Sequence, residues 1–423
     1  MNFPESPLIP GTEGASRAKR TAWLVVVLLF PVALLNYLDR QMLAAMKFSV
    51  MGDIPDISTE ANWGRMLGQF KWVYAVLSPV GGYIADRFSR RYTICGSLFV
   101  WSLVTWATSH VTSYSGLLMT RSLMGVSEAF YIPAALALIS DYHSAKTRSR
   151  AVGMHQMAIY CGVIAGGFSG YLADTPALGW RMAFTACGLA GALYAIPLVF
   201  LLRDAPRALD DVTVVKPSVG SALRALLTNG SFLLLVLYFT LPALAGWVVR
   251  DWMPAILKQQ FQIGQGKAGV SATLYWQLAA IVGALGGGWL ADRWMQRSVR
   301  GRIFVSALGM CLIIPALFGV GNAPTLGMAI GFLALFGLGW GFFDGNNMPI
   351  LCQIVRPEFR ATGYGLMNLV SISCGGLADW GFGLMRDRQF PLNIIFSSFA
   401  GVAMISVVLV LLIRPRPASV VGS

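Results

Sequence analysis

The chain has 423 residues; 56% are hydrophobic, only 12% are charged, and the net charge is +13. Water-soluble domains carry about 25% charged residues, so this composition excludes an ordinary soluble domain. The basic excess falls in short loops between apolar runs, the pattern of a polytopic membrane protein and not of a nucleic-acid-binding face.

A membrane-spanning helix needs about 20 mostly apolar residues. In chain order the apolar runs predict spans over 22–46, 67–85, 92–109, 114–140, 150–171 and 180–202, then 231–254, 269–291, 302–320, 326–353, 361–385 and 391–413. The first run follows Arg17, Lys19 and Arg20 but has no small-residue cleavage site after it, so it reads as a retained helix and not a signal peptide. The residues predict an all-α membrane protein of twelve spans in two six-helix halves, 1–202 and 231–423. A cytoplasmic linker at 203–230 joins them, with a short surface helix near 221–227. Lys and Arg concentrate on one side, which places both termini in the cytoplasm; Lys47, Arg65 and Lys71 fall on the other side.

Two repeats mark a duplication. Gly82-Tyr83-Ile84-Ala85-Asp86-Arg87 ends the second span and Gly288-Trp289-Leu290-Ala291-Asp292-Arg293 the eighth, each followed by further arginines (Arg90 and Arg91; Arg297 and Arg300). Arg150-Ala151-Val152-Gly153 opens the fifth span and Arg360-Ala361-Thr362-Gly363 the eleventh. The six cysteines show no C-x-x-C spacing, no P-loop or H-E-x-x-H motif occurs, and there are three histidines. An enzyme, an ATP-driven pump, a cofactor and a metal site are therefore not expected.

Charges at bilayer depth are expensive and mark candidate sites. Asp39 and Arg40 lie in the first span, Arg121 and Glu128 in the fourth, and Asp344 in the tenth. Arg40 and Arg121 fall roughly 10 Å inside the outer boundary by helical rise. Glu128, nearly two turns beyond Arg121, shares its face near the midplane. An arginine grips carboxylates, and a desolvated carboxyl group can titrate near neutral pH. Arg40 is therefore a candidate for an anionic substrate. Asp39, Arg121 and Glu128 are candidates for proton coupling, with a static ion-pair network as the competing reading. The run Gly341-Phe342-Phe343-Asp344-Gly345-Asn346-Asn347-Met348-Pro349 suggests a broken helix lining a cavity. Asp344, Asn346 and Asn347, with Asn368 in span eleven and Gln156 and Tyr160 four apart in span five, are substrate-binding candidates. His155 reads mainly as a packing residue, Asp379 as a partner of Arg386, and Gly162, Gly166 and Gly170 as close-packing positions.

These motifs resemble the major facilitator superfamily. The loop after span two is similar to that family's G-x-L-A-D-R-x-G-R-R, with Ser89 at the usual glycine. Arg121 and Gly125 match its R-x-x-x-G element. The resemblance implies two six-helix bundles that rock about a central site and are driven by a proton gradient. It also implies that Asp86, Arg87 and Arg90, with Asp292, Arg293 and Arg297 in the second half, latch the cytoplasmic side shut. Asp86 would face the start of span eleven near Thr362. Asn36-Tyr37-Leu38-Asp39-Arg40 and Arg121-x-x-x-Gly125-x-x-Glu128-Ala129 with Pro133 resemble the anion:cation symporter branch, which implies symport of a small organic anion, such as a sugar acid, with protons. That branch's W-F-P is replaced here by Asp141-Tyr142-His143, a departure shared with spinster-like lipid transporters. A lipid or lysolipid transporter and a non-transporting membrane sensor remain alternatives. A monomer in a bacterial inner membrane is expected.

Overall fold

The structure, a computed structural model, describes residues 12–205 and 218–415. Arg17, Lys19 and Arg20 fall in the first turns of a helix that begins at Thr12, but side chains before residue 19 and those of residues 85, 86, 145, 146 and 219 lie outside the description. So does the linker at 206–217.

The described chain is a set of helices without strands. The first half comprises α1 (Thr12–Ala45), α2 (Lys47–Asp53), α3 (Glu60–Arg87), α4 (Arg90–Thr108), α5 (Tyr114–Glu128), α6 (Tyr131–Tyr142), α7 (Ala145–Asp174) and α8 (Gly179–Leu201). The linker helix is α9 (Val219–Leu227). The second half comprises α10 (Gly230–Phe261), α11 (Gln265–Met295), α12 (Gly301–Asn322), α13 (Leu326–Ile354), α14 (Arg360–Asp387) and α15 (Leu392–Leu412).

Among the described residues nine helices are long and apolar enough to cross a membrane, α5 and α6 counting as one. The remaining three of the twelve expected spans are α3, α4 and α14. They are full-length helices of 28, 19 and 28 residues, but more polar. Two of them, α3 and α14, face each other across the centre of the molecule, where protein and not lipid is the neighbour, so their charges are tolerated there.

The packing repeats with the sequence. In the first half α1 packs on α7, α4 on α8 and α3 on α5; in the second α10 packs on α14, α12 on α15 and α11 on α13. These are equivalent pairs in the two halves, so the duplication extends from the loop motifs to the helix contacts.

Span four is broken where one continuous helix was expected. α5 ends at Glu128 and α6 starts at Tyr131. Pro133 has no N–H for the carbonyl of Ala129, four residues earlier, and its ring crowds that carbonyl. Gly81 of α3 makes room at the break: a Cβ there would lie 2.4 Å from the Ala129 oxygen. The break expected in span ten is absent. α13 runs unbroken from Leu326 to Ile354 with Pro349 inside it, and the Asn346 side-chain amide donates to the Phe342 carbonyl one turn earlier at 2.9 Å.

The halves meet at the end away from the G-x-x-A-D-R loops. α3 lies against α14 and α7 against α11. The backbones are so close that a Cβ on Gly64 would sit 2.2 Å from the Asp379 carbonyl oxygen. Asp387 at the end of α14 accepts from the Glu60 and Ala61 amides at 2.8 and 2.9 Å, capping the first turn of α3 from the other half. Asp174 accepts from the Gly266 amide at 2.8 Å, and Gln41 donates to the Arg250 carbonyl at 3.1 Å. A lost cap costs about 1 kcal/mol. Asp387→Ala is therefore expected to raise amide exchange at Glu60 and Ala61 about fivefold, measured by hydrogen-exchange mass spectrometry. Unchanged protection there would show that the cap contributes nothing.

Candidate functional site

Four charged side chains from two spans meet inside the first half. Arg40 points from α1 to Glu128 at the end of α5, with Nη2 and Nε each 2.6 Å from the same carboxylate oxygen. Arg121 faces Asp39 at 3.9 Å, and the Thr105 hydroxyl of α4 donates to Asp39. The four charges cancel. Glu128, Asp39 and Arg121 are buried, whereas the Arg40 side chain is 15% exposed. Arg40 is thus the member of the network that a solute can reach.

Its guanidinium is caged by aromatic rings. Tyr37, Phe70 and Tyr74 place their ring centres 4.7, 4.8 and 4.9 Å from it, a cation–π arrangement that holds the cation with few hydrogen bonds. One oxygen of Glu128 and one of Asp39 have no hydrogen-bond partner. Buried polar atoms without partners are rare, so this network has unused hydrogen-bonding capacity at its centre.

The facing wall comes from the second half and from α7. Asp344 is exposed on α13, within electrostatic reach of Arg250. Tyr160, with Gln156 as its side-chain polar partner, faces Asp344, as does Tyr364, whose polar partner is Asn368. Gln156, Tyr160, Asp344 and Asn368 are therefore gathered around one central gap together with Arg40. Asn346 and Asn347 are not: they are 0% and 2% exposed, on the packed side of α13. Asn346, two residues beyond Asp344, is rotated by about 200° around the helix and points away from the gap; Asn347 lies about 60° from Asp344 but is covered by packing, at 2% exposure.

On the side away from the loops the gap is shut. The cavity bounded there by Tyr37, Arg40, Lys71, Arg121, Arg250 and Asp251 is about 30 Å³, room for a water or two and no more. Lys71, whose sequence position suggests an outer loop charge, is instead 3% exposed within α3. It binds Asp251 and Asp379 of the other half. Asp379 therefore does not pair with Arg386, which donates instead to the Phe390 carbonyl at 3.1 Å.

At the loop end the contacts seen among the described residues lie within each half. Arg90 binds Asp141 and donates to the Ala137 carbonyl at 2.9 Å, and Arg87 stacks on Tyr83 at 4.6 Å. Asp292 pairs with Arg302 at 2.9 Å, Arg293 lies 5.8 Å from the Trp289 ring, and Arg297 is exposed. The side chain of Asp86 lies outside the described residues. The Asp141-Tyr142-His143 run is structural: Tyr142 donates to the Arg203 carbonyl at 3.1 Å, and His143 contacts the Ala22 carbonyl at 3.1 Å. His155 is buried against the Tyr131 hydroxyl at 2.9 Å, a satisfied packing contact.

Among the described residues no group of His, Cys, Asp and Glu is arranged to hold a metal ion.

The sequence profile described as Major Facilitator Superfamily matches residues 29–378. The chain belongs to this superfamily. Human protein spinster homolog 1 is 30% identical over 415 residues, covering 90% of this chain and 77% of the relative. An MFS-type efflux pump of Mycolicibacterium smegmatis is 26% identical, covering 92% and 89%. Among solved structures, a bacterial homolog of the human lysosomal transporter spinster, inward-facing and unoccupied, superposes with a TM-score of 0.76 at 20% identity, covering 93% of this chain and 95% of that one. At that identity the likeness establishes the fold. The chain is a multi-pass membrane protein with the superfamily's helical architecture, and the spinster proteins are prominent among its relatives.

Proposed function

We propose that the protein is a spinster-like secondary transporter that moves an amphiphile with an anionic head group, of the lysolipid class, by alternating access. The observation that carries this reading is the chemistry of the central gap. An accessible cation, Arg40, sits among Tyr37, Phe70 and Tyr74, with Arg250 half-buried across the gap near Asp344. A sugar acid needs hydrogen bonds for several hydroxyl groups, and two of the asparagines expected to supply them are buried elsewhere. An amphiphile needs one anion site and apolar surface. The spinster relatives support the same choice over the sugar-acid symporter expected from the span-one and span-four motifs.

In this reading a proton on Glu128 releases Arg40 to bind the head group, so proton and substrate favour the same state. The Lys and Arg excess at the loop end makes that end cytoplasmic. The structure then corresponds to the state open to the cytoplasm, with both termini on that side. The latches form in the opposite state.

The test uses purified protein in proteoliposomes with a fluorescent lysophosphatidylethanolamine and, separately, radiolabelled glucuronate, under an imposed proton gradient. Gradient-dependent movement of the lysolipid and none of glucuronate is expected. Glucuronate uptake without lysolipid movement would return the protein to sugar-acid symport. A ligand-dependent thermal shift with no flux of either would make it a sensor.

A further inference from the structure

The cluster of Lys71, Asp251 and Asp379 lies apart from the Arg40–Glu128 pair and joins the two halves. Lys71 comes from α3, Asp251 from α10 and Asp379 from α14. The Lys71 ammonium binds one oxygen of each carboxylate and lies 4.2 Å from the centre of the Trp247 ring. All three side chains are at least nine-tenths buried, Asp379 completely. The remaining oxygen of Asp379 has no hydrogen-bond partner.

The charges do not balance: two carboxylates share one ammonium. Among the described residues no cation other than Lys71 forms an ion pair with either carboxylate, although Arg250 shares the Trp247 ring. On α10, Arg250 lies over the Trp247 and Tyr37 rings and faces Asp344. On α1, Arg40 is held by Glu128, and on α5 Arg121 faces Asp39. Toward the closed end, Lys47 binds Glu60, Arg386 donates to a backbone carbonyl, and Asp387 accepts from the α3 amides. Tyr37 is the remaining titratable group lining the small cavity. An unbalanced buried charge is costly, and two carboxylates sharing one site retain a proton between them. The orphaned oxygen of Asp379 is where a proton would sit without disturbing either contact to Lys71.

We propose that the Lys71–Asp251–Asp379 cluster is a second proton-binding site, loaded with one proton while the end away from the loops is closed and emptied when that end opens. The inference rests on the alternating-access reading above. Opening that end draws α3 away from α10 and α14. Water then solvates the ammonium and both carboxylates separately, and the proton passes to that water. The cluster thus ties proton release to one side of the membrane.

The sign follows from linkage. The closed state holds one more proton than the open state, so acid favours closure. The open-to-closed ratio rises with pH, by up to about tenfold per pH unit between the titrations of the two states.

The test is double electron–electron resonance on the full chain in lipid nanodiscs, with spin labels at Ser58 and Gln389 and the six native cysteines replaced. A long-distance population that grows from about pH 5 to about pH 8 is expected in the otherwise native protein, and a flat response in Asp379→Asn and in Asp251→Asn. If both variants keep the native pH response, the proposal is wrong. If Glu128→Gln alone flattens it, the proton site is the central pair; the proposal fails and alternating access stands. A single distance at every pH, with or without lysophosphatidylethanolamine, overturns both.

Discussion

Glu128→Gln is expected to retain exchange of lysolipid across proteoliposomes while losing accumulation driven by a proton gradient. Glutamine keeps the size of the side chain and a carbonyl oxygen for Arg40, so the pocket persists, but it has no proton to give or take. Arg40→Ala is expected to behave differently. It leaves Glu128 buried and without its cation, and breaking a buried pair from one side costs about 3–5 kcal/mol. That variant should lose both transport and thermal stability in detergent, whereas Glu128→Gln should lose coupling with a much smaller drop in stability, because the Arg40 cation keeps its three aromatic rings and partial exposure. Normal gradient-driven accumulation by Glu128→Gln would remove Glu128 from the coupling mechanism.

Gly64→Leu is expected to abolish turnover by preventing closure of the end away from the loops. Its Cβ would lie 2.2 Å from the Asp379 carbonyl oxygen and 2.8 Å from the carbonyl carbon. Both are backbone atoms, so no side-chain rotation relieves the contact. Overpacking costs about 1–3 kcal/mol where a core can adjust; 3 kcal/mol is already about a 150-fold shift between two states. The variant should fold, since the clash disappears once the halves separate. Its label pair at Ser58 and Gln389 should read the long distance at every pH. A short distance in Gly64→Leu would mean that the helices slide past each other without the contact described here.

The spans were legible because hydropathy reports where lipid is, and the duplication because Asp86-Arg87 and Asp292-Arg293 repeat in register. The central charges were legible too, since Asp39, Arg40, Arg121 and Glu128 stand out against apolar neighbours. Their pairing was not. Which arginine meets which acid depends on the rotation of α1 against α5, and no local pattern encodes it. Asn346 and Asn347 are buried for the same reason: a polar run on a helix covers nearly every direction, and the packing partner decides which residue faces the gap. A lysine among apolar residues reads as a loop charge until Asp251 and Asp379, far along the chain, are brought to it. The break after Glu128 had a visible cause in Pro133, but the room for it came from Gly81 on another helix.

Two neighbouring glycines of α7 serve different partners. A Cβ on Gly166 would collide with Gln41 and the Leu38 carbonyl of α1, at 2.6 and 2.7 Å. One on Gly167 would collide with Thr273 and the Gly269 carbonyl of α11, at 2.2 and 2.9 Å. The first contact lies within a half and the second between halves, so in the alternating-access cycle proposed above the first persists and the second is made and broken. The same helix is therefore bolted to its own bundle on one face and clutched to the other bundle on the next. Bulk added on the first face would be felt as lost folding, and bulk on the second as a shorter dwell in the state described here, with the end away from the loops closed. Adjacent positions in the chain thus separate the integrity of the machine from its tempo.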